Sequence, residues 1–171
     1  MLTHKRNLAA LALSISLALS VAAPETGHAD PARGPETLSN ASYGGADSLA
    51  CLAEALYFEA RGEGHAGQRA VAEVILNRVD SRAFPNSVCG VVHQPGQFSY
   101  KKGRRMSNAA AANRARAIAT EALAGAPRSL TDGATYFHTT SVRPSWSKRF
   151  TRTTRIGSHI FYRAGQRVAS N

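Results

Sequence analysis

The residue pattern changes character after Gly125, and that change constrains the fold more than any other feature of the chain. Upstream, apolar residues recur at helical spacing; downstream, Thr, Tyr, Phe, His and Ile come together in short runs suited to strands. Leu49, Leu52, Ala53, Leu56 and Ala60 share one helical face, which predicts a helix over 48–61, capped by Asp47 and ended by Gly62 and Gly64. A second helix is expected over 67–79, with Val71, Val74, Ile75 and Leu76 inward. An alanine-rich third fits 107–124, with Ile118, Ala119, Ala122 and Leu123 inward. Between them Pro85, Asn86, Gly90, Pro95, Gly96 and Gly103 predict an irregular region carrying Phe98 and Tyr100. Residues 134–139 and about 155–163 read as two strands forming an antiparallel pair. The expected class is α+β, with a helical N-terminal part and a small antiparallel β-sheet toward the C-terminus.

The N-terminus says where such a domain works. Lys5 and Arg6 precede an apolar stretch from Leu8 to Ala23 that three serines interrupt, followed by small residues. This is the form of a secretory signal over 1–23, with cleavage after Ala22 or Ala23, or as late as Ala29. The stretch is short of the roughly 20 residues of a spanning helix, so no stable membrane span is expected after cleavage. Residues 24–46, rich in Pro, Gly, Ser and Asn, read as a flexible linker. The domain is then expected over 47–165, with a tail over 166–171. Export to the periplasm or cell envelope favours a disulfide between Cys51 and Cys89 over two buried thiols. Neither C-x-x-C nor H-E-x-x-H spacing occurs, so no metal or other cofactor is expected.

Charge narrows the partner. The chain of 171 residues has a formal net charge of +10. Residues 1–100 carry 7 Lys and Arg against 9 Asp and Glu, and residues 101–171 carry 14 against 2. A basic half of this kind suits a polyanion: nucleic acid, a membrane surface or an anionic polymer. Export argues against nucleic acid, and the aromatic residues are not arranged as a base-stacking platform.

The stretch from Ala55 to Gly64 (ALYFEARGEG) carries the chemistry. Glu59 falls about 60° from the centre of the apolar stripe at 100° per residue, while Glu54 points away toward solvent. A carboxyl at the margin of an apolar face is partly desolvated, which raises its pKa and suits it to general-acid work. Spacing alone leaves open a structural alternative, in which Glu59 pairs with Arg61 or Arg78 to hold the helix. Glu63 is the one acidic residue close by in sequence. It is either a second carboxylate for hydrolysis or a structural group bound to backbone donors or Arg78.

Residues 56–64, Gly67–Ala72 (GQRAVA) and Val74–Val79 (VILNRV) strongly resemble the cell-wall hydrolase family that includes the spore-cortex-lytic enzymes. The likeness continues through Phe84–Val88 (FPNSV), Gln97-Phe98-Ser99, Ala134–His138 (ATYFH) and Arg155–Tyr162 (RIGSHIFY). It implies a lysozyme-like α+β fold, cleavage of peptidoglycan glycan strands, and Glu59 as the catalytic acid. Cortex specificity, tied in the spore enzymes to a further binding domain for which this length leaves no room, is not expected to transfer. With few acidic residues available, a lytic transglycosylase route using Glu59 as acid and then base fits better than paired-carboxylate hydrolysis. The rivals are a muramidase using Glu59 with Glu63 and a non-catalytic cationic wall-binding protein. Tyr57, Gln97, Phe98, Ser99, His138 and Trp146 are candidate substrate contacts. Tyr57, His138 and Trp146 have packing as the alternative, and Gln68 and Asn77 serve either buried backbone or substrate. Arg152, Arg155 and Arg163 are candidates for stem-peptide carboxylates. A monomer acting on peptidoglycan is expected.

Overall fold

A computed structural model describes residues 43–98 and 100–164. The expected signal segment, the linker up to residue 42, the 166–171 tail and Ser99 lie outside the described residues. Four helices come first: α1 (Ala46–Ala60), α2 (His65–Val79), the short α3 (Val88–Val92) and α4 (Ala109–Leu123). Strands β1 (Tyr136–Thr139), β2 (Thr151–Ile156) and β3 (His159–Arg163) follow, with a 3-10 turn over Ser145–Lys148 between β1 and β2.

Helix α1 starts at an uncapped Gly45, so Asp47 lies in the first turn rather than at the cap. There its carboxylate complements the helix dipole instead of closing the first turn. Leu52, Ala53, Leu56 and Ala60 bury the predicted stripe, joined by Cys51, Ala55 and Tyr57. Helix α4 meets it through small residues, Ala111, Ala112, Ala115 and Ala119, together with Ile118.

Helix α2 is buried almost all round, and this explains the architecture. One side joins the helical core through Val71, Ala72, Ile75, Leu76 and Val79. The other carries Ala70 and Val74 into a second cluster with Ala134 and Phe161 beneath the sheet. A helix with apolar residues on both sides is shared between two layers. Two of its polar side chains donate to backbone carbonyls. The Gln68 amide donates to Glu63 O (3.3 Å) and the Asn77 amide to Ala134 O (3.0 Å), so both serve backbone.

Two elements differ from expectation. The run read as one strand near 155–163 is a hairpin turning at Gly157 and Ser158, and the sheet has order β1-β3-β2, antiparallel throughout. Gly157 has φ +58°, which lets the chain reverse in a two-residue turn. Strand β2 reads Thr-Arg-Thr-Thr-Arg-Ile and has no apolar alternation, because one of its faces meets water; a register shift between Arg152 and Thr154 blurs the period further. Helix α3 lies inside the region expected to be irregular. Ser87 caps it by accepting from Gly90 N (3.1 Å), and Cys89 on it is joined to Cys51 of α1 by the expected disulfide, Cα atoms 5.3 Å apart.

Candidate active site

The C-terminal end of α1 presents Tyr57, Phe58 and Glu59 in succession. Tyr57 turns inward, and its hydroxyl accepts from Asn108 N (3.0 Å) and Arg61 Nη1 (3.3 Å), bracing the start of α4. That bonding, the Asn108 N–H foremost, holds the phenol below its usual pKa. Phe58 is half-buried and stacks on Tyr100 with centroids 4.7 Å apart, while the Arg104 guanidinium lies 5.6 Å from its ring. Glu59 is half-buried beside them.

Tyr100 belongs to the segment between α3 and α4, which folds back over α1. Its ring stands 6.2 Å from Phe98, and its hydroxyl is enclosed without a hydrogen-bond partner. Burial, with the negative charges of Glu54 and Glu59 nearby, pushes the phenol well above its ordinary pKa. The same fold-back corrects the expectation for Glu54. Its side chain is only 14% exposed, accepting from Gly103 N (2.7 Å) and lying 3.5 Å from His93 Nε2. Helical periodicity alone leaves that face open, because the covering segment comes from elsewhere in the chain.

Glu63 is occupied. Its carboxylate accepts from Ser158 N (3.2 Å) and from the Ser158 hydroxyl, and lies 3.9 Å from His159 Nδ1. With 13% of the side chain exposed, it ties the α1–α2 junction to the β2–β3 turn. Gly157 packs so closely on this carboxylate that a Cβ there would stand 1.8 Å from Oε2.

Arg78 links this end of α1 to the sheet. It is 4% exposed, donates from Nε to Thr135 O (2.6 Å), and holds its guanidinium carbon between the rings of Phe84 (5.2 Å), Tyr136 (5.8 Å) and Phe98 (5.9 Å). Burial lowers its pKa to about 10, so it keeps its charge at neutral pH. A carbonyl and aromatic faces hold Arg78, while Glu63, one of the acids the sequence offered it, is engaged with Ser158. Tyr136 continues the row of rings to Trp146 (5.5 Å) and Phe150 (4.6 Å).

The remaining candidates divide. Gln97 and Phe98 are half-buried on the segment over α1; Ser99 lies outside the described residues. Trp146 is half-buried against Tyr136, His138, Phe150 and Tyr162. His138 is 8% exposed, with Nδ1 2.8 Å from Thr139 O and Nε2 3.0 Å from Tyr162 Oη. Its Nδ1–H donates to the carbonyl and its Nε2 accepts from the phenol, so both ring nitrogens serve the sheet. Arg152, Arg155 and Arg163 are exposed on β2 and β3. The structure therefore brings Glu59, Phe58, Tyr100 and Phe98 together, and joins them through Arg78 to Trp146. Tyr57, Glu63 and His138 brace this arrangement. Tyr100 and Glu54 escape sequence reasoning, since nothing local signals that a glycine-rich segment lies on α1. Among the described residues, no His, Cys, Asp and Glu group is arranged to hold a metal ion, and no helix is long and apolar enough to cross a membrane.

A profile of the family described as Cell Wall Hydrolase matches residues 62–162. The spore cortex-lytic enzyme of Halalkalibacterium halodurans is 38% identical over 128 residues, 74% of this chain and 38% of that protein. The spore cortex-lytic enzyme of Bacillus subtilis is 53% identical over 53 residues, 31% of this chain and 17% of that protein. The match thus spans less than half the length of either relative. Two solved structures are similar. The catalytic domain of the germination-specific lytic transglycosylase SleB from Bacillus anthracis aligns with TM-score 0.56 and 32% identity, covering 70% of this chain and 97% of that one. The catalytic domain of the Bacillus cereus SleB protein aligns with TM-score 0.53 and 33% identity, covering 67% and 88%. The fold is the lysozyme-like α+β fold.

Proposed function

The chain belongs to the cell wall hydrolase family, and from that premise we propose that it cleaves the glycan strands of peptidoglycan as a lytic transglycosylase, with Glu59 as general acid and then base. The carboxyl of Glu59 protonates the glycosidic oxygen, the bond from that oxygen to the muramyl C1 breaks, and the leaving sugar departs with the proton. The carboxylate so formed takes the proton of the muramyl C6 hydroxyl, whose oxygen closes on C1 to give a 1,6-anhydro ring. No water is consumed and the carboxyl is regenerated.

The observation that carries this reading is the state of the neighbouring acids. Paired-carboxylate hydrolysis needs a second carboxylate aimed at the reaction. Glu63 is instead spent on Ser158, and Glu54 on Gly103 and His93. A route that asks only one acid to serve twice agrees with that engagement of the neighbouring acids, and the half-buried rings of Phe58, Phe98, Tyr100 and Trp146 suit sugar faces. The B. anthracis relative, a germination-specific lytic transglycosylase, agrees with it. In this reading the segment over 1–23 directs export and is removed. The domain over 47–165 then acts as a monomer on the wall in the periplasm or cell envelope.

Purified wild type and Glu59→Gln, compared on dye-labelled sacculi, test the assignment. General acid–base catalysis contributes about 10²–10⁴-fold, so dye release falls by that order in the variant. Wild-type release by Glu59→Gln sinks the assignment, and binding of sacculi without release by either protein identifies a wall-binding protein. Mass spectrometry of the wild-type products separates anhydro-muramyl ends from reducing ends, and reducing ends alone overturn the transglycosylase step.

A further inference from the structure

Four basic residues stand within five positions, Lys101-Lys102-Gly103-Arg104-Arg105, and all four are exposed. The run is fastened to the end of α1 that carries Glu59. Tyr100, just ahead of it, stacks on Phe58 with centroids 4.7 Å apart. Arg104 N donates to Lys101 O (3.2 Å), closing a turn in which Gly103 has φ +74°. The Gly103 N–H donates to Glu54 Oε1 (2.7 Å), and beyond the turn Asn108 N donates to the Tyr57 hydroxyl (3.0 Å). Held at both ends and in the middle, the turn loses little further freedom when an anion meets it.

The same contacts aim the charge. Glu54 is half-buried against His93 (3.5 Å), on the inner side of the turn, while the four basic side chains meet solvent. The Arg104 guanidinium carbon lies 5.6 Å from the ring of Phe58, so its place is set by the residue next to Glu59. Like charges this close repel one another, and an anion among them relieves that repulsion. N-acetylated sugars are neutral, so bare glycan offers no such anion. Stem-peptide carboxylates do. The stem hangs from the lactyl group of the muramyl sugar, whose C1 reacts in the proposed mechanism. A planar guanidinium meets a carboxylate with two parallel hydrogen bonds. We propose that the 101–105 turn makes this chain selective for peptide-bearing strands, with Arg104 as the placed carboxylate contact and Lys101, Lys102 and Arg105 as the charge around it. This selectivity rests on the proposed function and adds to it the form of strand preferred.

Binding of three soluble glycan fragments, with Glu59→Gln as the parent to suppress cleavage, tests this. One fragment bears stem peptides with free carboxylates, the second bears the same peptides with those carboxylates amidated, and the third has no peptides. The parent is expected to bind the first about 10-fold more tightly than the other two, the sum of several exposed ion pairs. Lys101→Gln, Lys102→Gln, Arg104→Gln and Arg105→Gln combined are expected to remove that preference and leave binding of the other two fragments unchanged. Arg104→Gln alone is expected to lose about threefold, and Arg104→Lys to recover part of that loss. Amidation changes the ligand and leaves the protein untouched, so that comparison stands even if the fourfold variant fails to fold. Equal binding of all three fragments by the parent overturns the proposal. So does a preference that survives the fourfold change, which would place the contact elsewhere, or an equal loss on all three fragments, which would make the turn a general polymer contact. If wild type shows the preference yet cuts no fragment, the carboxylate contact stands and only the proposed cleavage fails.

Discussion

Glu73 shows how much a single side chain holds in place. Buried in α2, its carboxylate accepts from Leu130 N at both oxygens (3.1 and 3.0 Å), from Thr131 N (3.0 Å) and from Thr131 Oγ1 (3.1 Å). The segment leading into β1 hangs on these bonds. Glu73→Gln turns an acceptor into a donor facing other donors, and is expected to lower unfolding free energy by about 1–3 kcal/mol in urea titration. His159 gives the pH dependence. Burial lowers its pKa, His138 adds to the lowering and Glu63 opposes it. The unfolded chain therefore takes up a proton near pH 6.5, while the folded chain resists until lower pH, so stability falls as pH drops below that value. The urea midpoint of wild type should drop between pH 7.5 and 5.5 by more than that of His159→Phe. Equal drops would place the acid sensitivity elsewhere.

At the scale of elements, the three long helices follow from their periodicity, and the rest needed contacts. Helices α1, α2 and α4 each run 15 residues, within a residue or two of their expected starts and ends. Helix α3 has five residues and is set among glycines and prolines, so no periodicity could mark it. What holds it is the Cys51–Cys89 bridge, which closes a loop of sequence separation 38. Chain entropy assigns such a loop about 4 kcal/mol, and Cys51→Ser with Cys89→Ser should lose stability of that order in urea. The hairpin turn supplies a second test. Gly157 combines a positive φ with a Cβ direction that points into the Glu63 carboxylate. Gly157→Ala must therefore strain the turn and displace Glu63 together, and should lower the melting temperature by several degrees.

For the molecule as a whole, the distribution of charge and the sharing of α2 matter most. The sheet lobe presents Arg143, Lys148, Arg149, Arg152, Arg155 and Arg163, all exposed, and the 101–105 segment adds Lys101, Lys102, Arg104 and Arg105. An anionic polymer would be held by these groups rather than by the near-neutral helical core. Sacculus binding should then weaken steeply as ionic strength rises from about 0.05 to about 0.5 M, a range over which screening shortens severalfold. Binding that is flat across that range would leave the basic surface without this role.

The sequence by itself determined the α+β class, the three long helices and the disulfide, and its resemblances pointed to Glu59 on the end of α1. These are local quantities: periodicity, turn residues, a cysteine pair and a run of motifs within one stretch of chain. Only the tertiary structure decided what surrounds Glu59. It laid the segment bearing Phe98 and Tyr100 onto α1, drew Glu54 out of solvent, engaged Glu63 with Ser158, and set Arg78 among aromatic rings. All of these contacts but that of Arg78 with Phe84 join residues far apart in sequence. Their existence depends on α2 being buried on both sides, so that helical core and sheet close around one shared helix.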